Sequence, residues 1–336
     1  MTNEDSSTPR IERAALGMLA MWMSERYFRT FRVTDDAERG PFDAILNQRD
    51  LQVGITIGLL WEEATGNDPS GLEGVEALET SVSADLEAAN DRGSYALWLP
   101  PRAGVPAQEP GASDFRVLVQ RGVTGLGPGE RREVRIPALL RIAKVDAGGA
   151  YFSVVGGMSQ VWTDLSEGAP GAFHLDSKDI HRLPEERPEI DILVSQVRDR
   201  AALLEVGEMT AVDSHDYWLV SRMGGEPRGL TVFGAPISFD SADAAAVRRL
   251  LRAHVGRAEE QRYNGTCDLT ALVLVGSYAH IEDERVTAGL RGMNPALYSG
   301  IDLIVLVADG QVRQVLQPRS LPWDAGAAPP PPTPIS

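Results

Sequence analysis

His280 and Glu282 are residues whose types and spacing could do chemistry. They follow the end of a buried apolar run, 269–275, and ligands of open α/β sheets collect at strand ends. An imidazole two residues from a carboxylate would serve as an acid/base or binding pair in a hydrolase or transferase. The same residues also suit a plain helix entry, with acids in its first turn. A second group of ligand-type side chains is His174, Asp176, Asp179 and His181, which Asp213, His215 and Asp216 would have to join. Their spacing matches neither a zinc nor an EF-hand signature, and a polar loop accounts for them. Gly122, Gly125, Gly127 and Gly129 resemble a phosphate loop by glycine content only. No Lys-Ser/Thr follows them, and the next residues read as strand rather than as a helix N-terminus. Gly276-Ser277-Tyr278-Ala279 lacks the last glycine of a nucleophile elbow. Cys267, the single cysteine, reads as a small buried hydrophobe.

Elements must hold these residues in place. Thr8 and Pro9 are a helix start, with Thr8 as cap. Ile11, Ala15, Met18 and Trp22 recur at helical spacing, which predicts a helix over about 9–29 buried on one face. Runs 42–46 and 51–60, separated by 47–50, predict a hairpin whose second strand is central, since it is apolar on both faces. Leu72, Val75, Leu78, Val82 and Leu86 predict an amphipathic helix. Runs 95–99, 115–119, 133–145 and 151–155 read as strands of a small antiparallel sheet or barrel, with Trp98, Trp162 and Trp218 in its core. Residues 146–149 read as a hairpin turn, and Pro137 implies an edge or bulge. A helix over 189–206 and strands at 217–220 and 230–233 follow. Ser241 is expected to cap a helix reaching about 260, before strands at 269–275, 301–307 and 312–316, the last two joined by a turn at Asp309-Gly310. Residues 1–8 read as a disordered lead and 325–336 as a disordered proline-rich tail.

Composition narrows the function classes. The chain has 336 residues and a net charge of −16, which opposes non-specific attraction to nucleic acid without excluding a local basic groove. Lys144 and Lys178 are the only lysines among 32 basic residues, so chemistry that requires a lysine has two candidates. No signal-peptide pattern begins the chain, and no stretch approaches about 18 uninterrupted apolar residues. The expectation is a soluble, cytoplasmic protein with no membrane partner.

The element order joins helix, hairpin and central strand at the N-terminal end to helix, strand, helix and strand at the C-terminal end. Joined, these resemble the core of the restriction-endonuclease-like (PD-(D/E)xK) superfamily, split by a long insertion. In that family an Asp begins one strand and an acid-x-Lys sits on the next. The acids hold a divalent metal, for which hard carboxylate oxygens suit Mg²⁺. The resemblance places Asp43, preceded by Pro41-Phe42, at the first Asp, as metal ligand and catalytic residue. It places the second motif in Val53-Gly54-Ile55-Thr56, with Gly54 where the acid stands and Thr56 where the lysine stands. Gln52, Glu62 and Glu63 are the available substitutes, and Glu12 and Glu25 could approach from the first helix. The fold expected is mixed α/β: a restriction-endonuclease-like core from 1–66 and 240–320, with an inserted lobe over 67–239 that is mainly β at 95–165. The function implied is a nuclease-like scaffold that binds nucleic acid or a protein partner without cleaving, and without a cofactor. The alternatives are an interaction or regulatory protein using the β-rich insert, and a metal-dependent nuclease using Mg²⁺ around Asp43, with Glu62 and Glu63 as further catalytic residues.

Overall fold

The computed structural model describes residues 10–34, 40–62, 74–236, 238–240, 243–282 and 284–324. The lead over 1–8, the cap at Ser241 and the tail from 325 lie outside the described residues. In chain order the elements are α1 (Arg10–Tyr27), β1 (Arg32–Val33), β2 (Ala44–Gln48), β3 (Leu51–Leu59), α2 (Val75–Ala88), β4 (Ser94–Trp98) and α3 (Gly111–Val123). Next come β5 (Arg131–Asp146), β6 (Ala150–Gly156), α4 (Trp162–Ser166), β7 (Gly171–Ser177), α5 (Arg187–Ala202), β8 (Met209–Met223) and β9 (Gly229–Phe233). The chain continues with α6 (Ala244–Asn264), β10 (Leu269–Val275), α7 (Tyr278–Glu282), α8 (Arg285–Arg291), β11 (Leu303–Ala308) and β12 (Gln311–Leu316).

The fold is mixed α/β, with two six-stranded mixed sheets ordered β1-β2-β3-β10-β11-β12 and β6-β7-β5-β8-β4-β9. All strands of the second sheet come from the chain between β3 and β10. The chain leaves the first sheet after β3 and returns to lay β10 parallel beside it, Leu269 opposite Val53 and Val275 opposite Leu59.

Strand alternation fixes which face each helix covers. On β10, Ala271, Val273 and Val275 join the cluster around α1, and Leu272 and Leu274 join the one around α6 and α8. On β11, Leu303, Val305 and Val307 face the first cluster, and Ile304, Leu306 and Ala308 the second. Apolar residues on both faces are what a strand covered on both sides requires.

Helix α1 is buried around its middle rather than on one face. Ala14 through Leu19 are all buried, because α1 lies between the sheets. Its cluster includes Ala96, Trp98, Leu219, Met223 and Phe233 of the second sheet. A helix that is buried on all sides needs no polar face. Small residues allow the approach: a side chain on Gly17 would run into the Gly224 carbonyl oxygen.

On its far face the second sheet carries α2 and α3. Leu78, Val82, Leu86, Phe115, Val119 and Val123 pack against Tyr95, Leu97, Trp218 and Val232. At its other end α4 and α5 cover Ile142, Phe152 and Phe173 with Leu165, Leu193 and Val197.

Several expectations are corrected. Residues 115–119 are helical, within α3. Phe115, Val119 and Val123 bury one stripe at spacing four, and a five-residue apolar run by itself does not separate helix from strand. The turn at 146–149 does not close a hairpin, because β7 lies between β5 and β6 and pairs with both. The turn crosses the start of β7, where a Cβ on Gly171 would stand 2.7 Å from the Asp146 carbonyl oxygen. The insert is an open mixed sheet, not an antiparallel barrel, since β4–β9 and β6–β7 are parallel pairs. Trp162 is 54% exposed, while Trp98 and Trp218 are core. Asp243 caps α6, accepting from the amides of Ala245 and Ala246. Pro137 lies where β5 has only β8 beside it, since β7 pairs with Arg141–Asp146, so the missing N–H breaks no ladder.

Candidate functional site

The hairpin of β2 and β3 carries Asp43, Gly54 and Thr56, and α6 crosses the face on which they lie. Asp43 precedes β2, its amide donating to the Ile55 carbonyl at 3.0 Å. Its carboxylate accepts from the Ile57 amide at 2.7 Å, from Arg257 Nη2 at 3.0 Å and from Gln261 Nε2 at 3.3 Å. Arg257 also donates to the Ile57 carbonyl, and the Thr56 hydroxyl donates to Gln261 Oε1. His254, Arg257 and Gln261 sit three and four residues apart, so one face of α6 presents all three. The His254 ring covers Gly58, and its Nε2 is 2.8 Å from the Leu59 carbonyl, which can only accept. Burial pushes the His254 imidazole pKa down.

Gly54 has a packing explanation. A Cβ there would lie 2.6 Å from the ring of Phe42, which is itself buried. The ring fills the space that an acid at position 54 would need. A divalent cation needs oxygen lone pairs not already used, whereas Asp43 is matched here with a guanidinium, an amide and a backbone N–H. Among the described residues no three His, Cys, Asp or Glu side chains converge on a point that could hold a metal ion.

The other sequence candidates lie elsewhere. Glu62 is exposed and paired with Arg249 at 2.6 Å, eight residues before Arg257 and so about 12 Å along the helix. Glu63 lies outside the described residues. Glu12 and Glu25 belong to α1, which covers the opposite face of the sheet.

His280 is buried in α7, where its Nδ1 accepts from the Ser277 amide at 3.0 Å. Its ring packs 5.7 Å from that of Phe239. Glu282 ends the same helix, and its side chain lies outside what is described. The strand ends nearby are filled with side chains. The cavity among Trp61, Trp98, Arg182, Phe233, Tyr278 and Asp309 holds about 10 Å³, room for one water at most.

The fold does bring His181 to Asp216, which the sequence left as separate segments. Asp216 is buried and accepts from the amides of His181 and Arg182 at 2.9 and 2.8 Å. It also accepts from Trp218 Nε1 at 2.7 Å and lies 2.8 Å from His181 Nδ1. With these donors aimed at it, the carboxylate acts as an anchor for the chain at 181–182.

Arg182 then reaches across to the first sheet. Its guanidinium grips Asp309 in two bonds of 2.6 and 2.8 Å, meets Glu185 at 2.7 Å and stacks on Tyr278, 5.0 Å from the ring centre. Burial pushes the Asp309 carboxyl pKa up, against the opposing pull of Arg182. Nothing in the sequence pairs Arg182 with Asp309. Asp309 instead shows its other role, the turn before β12.

Arginines at the β1 edge form a feature that sequence reading also missed. A groove of about 790 Å³ is lined by Phe28, Arg29, Arg32, Val33, Asn47 and Arg49. It adjoins a cavity of about 530 Å³ that holds Arg13. The signal present in the sequence was three arginines within 26–32, Arg26, Arg29 and Arg32. No helix among the described residues is long and apolar enough to cross a membrane. No family model, no curated protein and no solved structure matches the chain.

Proposed function

We propose that this is a non-catalytic binding protein on a nuclease-like scaffold, taking a nucleic acid or a protein as its partner. One observation carries the reading: α6 fills the place where nuclease chemistry would stand. Phe42 covers Gly54, Gln261 holds Thr56, and Arg257 neutralises Asp43. Hydrolysis assisted by a metal needs a carboxylate that can ligate and a position open to water. Both Arg257 and Gln261 would have to withdraw before Asp43 met either condition, and the nuclease alternative requires that rearrangement.

The reading that uses the β-rich insert has its own observation. Val145, Tyr151, Val155 and Met209 are exposed apolar side chains on β5, β6 and β8, and β6 is an edge strand.

The test is incubation of the full chain with single- and double-stranded DNA and RNA in Mg²⁺ or Mn²⁺. We expect intact substrate, and no magnesium binding by calorimetry. Cleavage that requires the metal and disappears in Asp43→Ala would overturn the non-catalytic reading.

A further inference from the structure

We infer that the groove along β1 is a binding site for single-stranded nucleic acid, with arginines on the phosphates and Phe28 under a base. The inference rests on the binding-protein reading above and names the partner and the surface.

The groove is built on ordered elements. Strand β1 is the outer strand of the first sheet, with Arg32 opposite Asn47 and Val33 opposite Leu46. Phe28 follows the end of α1 and is 95% exposed, with φ of 52°. A bulky residue rarely takes that conformation, and such residues persist where their surroundings impose them. Here Ser24 imposes it. Its hydroxyl donates to the Ala20 carbonyl at 2.6 Å and accepts from the Phe31 amide at 3.2 Å, and its own carbonyl accepts from the Arg29 amide at 3.2 Å. Phe31, Tyr27 and Trp323 pack edge to face beneath this turn. The Phe28 ring is therefore presented to solvent by a fixed backbone.

Charge identifies the ligand. Arg29, Arg32 and Arg49 are exposed, and among the described residues none of them pairs with a carboxylate. Some arginines elsewhere are matched, as Arg116 is with Asp85, Arg187 with Asp164 and Arg249 with Glu62; Arg29, Arg32 and Arg49 instead leave positive charge grouped around one groove. In the adjoining cavity the Nε of Arg13 is buried without a hydrogen-bond partner. Glu226 lines that cavity too, but it faces Arg228 at 3.3 Å.

Planar guanidinium groups suit phosphate oxygens, which they bind in pairs of hydrogen bonds. A solvent-facing ring beside them suits any base, because every base has a π-face. Thr30, Thr34, Asn47 and Gln48 line the remainder and offer hydrogen bonds to bases or sugars. An acidic peptide would use the charges but would leave the ring without a planar partner. A duplex needs a longer cationic track than this, and the net charge of −16 repels it outside the patch.

The experiment is fluorescence anisotropy of an oligodeoxythymidylate of about twelve nucleotides with the full chain, within the usual range of site sizes. Three phosphates neutralised on a single strand give a logarithmic salt slope of about −2, so affinity should fall about a hundredfold for a tenfold rise in salt. Arg29→Glu, Arg32→Glu and Arg49→Glu together should abolish binding while leaving the thermal melt unchanged, since all three are exposed. Phe28→Ala should weaken binding roughly five- to hundredfold.

No binding at low salt would overturn the inference. So would binding indifferent to the triple variant or to Phe28→Ala, tighter binding of a duplex, or equal binding of polyglutamate. Metal-dependent cleavage of the bound oligonucleotide would instead sink the non-catalytic reading and leave the groove standing.

Discussion

Replacing Gly54 with alanine measures how firmly the space of the missing acid is closed. The added Cβ would stand 2.6 Å from Cε1 and Cζ of Phe42 and 2.7 Å from Cδ1, whereas carbon atoms rest about 3.5–4.0 Å apart. The ring must move by about 1 Å, and Gly265 blocks one way out, since a Cβ on Gly265 would meet the same ring from another side. Overpacking of this kind costs about 1–3 kcal/mol. Removing the ring changes the sign. Phe42→Ala alone should cost about 3–5 kcal/mol through the cavity it leaves. In that background Gly54→Ala should be neutral or should stabilise by about 0.5–1 kcal/mol, because the chain no longer orders a glycine within a strand. The double-mutant cycle should therefore show a coupling of about 1–4 kcal/mol. Urea unfolding followed by tryptophan fluorescence gives the four stabilities, provided the slope with denaturant stays constant. If Gly54→Ala costs the same with and without the ring, the packing account of Gly54 is wrong.

Two further predictions concern the charged contacts. Asp309→Ala strands the buried Arg182 guanidinium and should cost about 3–5 kcal/mol, whereas Arg182→Met with Asp309→Leu should recover most of it; a single variant as stable as the parent in urea would refute the pairing's role. Burial holds the folded-state pKa of His254 below its ordinary value, so its contribution is complete above the unfolded value of about 6.5 and is lost as pH falls through it toward the folded pKa. Denaturation midpoints should fall from about pH 7 to 5.5, and His254→Gln should flatten that slope relative to the parent; equal slopes would remove His254 as the cause.

What the sequence made legible follows from the reach of its signals. Helix α6, the hairpin of β2 and β3, and strands β10 and β11 were readable because each displays its own period over five or more residues. The run 115–119 was too short to separate a strand from α3, and only the stripe continuing to Val123 decides it. The hairpin expected at 146–149 failed for a different reason. Turn chemistry fixes a local reversal but not which strand later enters the gap, and β7 does so after some twenty residues. In the sequence Gly54 shows only as the lack of an acid. What makes it necessary is the Phe42 ring, twelve residues earlier, and α6, two hundred residues later, and no local pattern joins the three. The same separation hid the pairing of Arg182 with Asp309.

The length of β2 separates the proposed binding groove from Asp43. Asp43 stands at one end of this strand, and the turn carrying Arg49 lies at the other. Six residues of extended chain span roughly 20 Å. In the proposed site an oligonucleotide held by Arg29, Arg32 and Arg49 would have its phosphates at the far end of the hairpin from the carboxylate, on the edge of the sheet and not under α6. A nuclease places its bound phosphate against its metal ligands, because the cation must touch the oxygen it activates. Here the carboxylate is matched by Arg257, and Arg29, Arg32 and Arg49 lie around the other end of the hairpin. On the proposed reading, the hairpin serves as scaffold and its outer edge as the recognition surface.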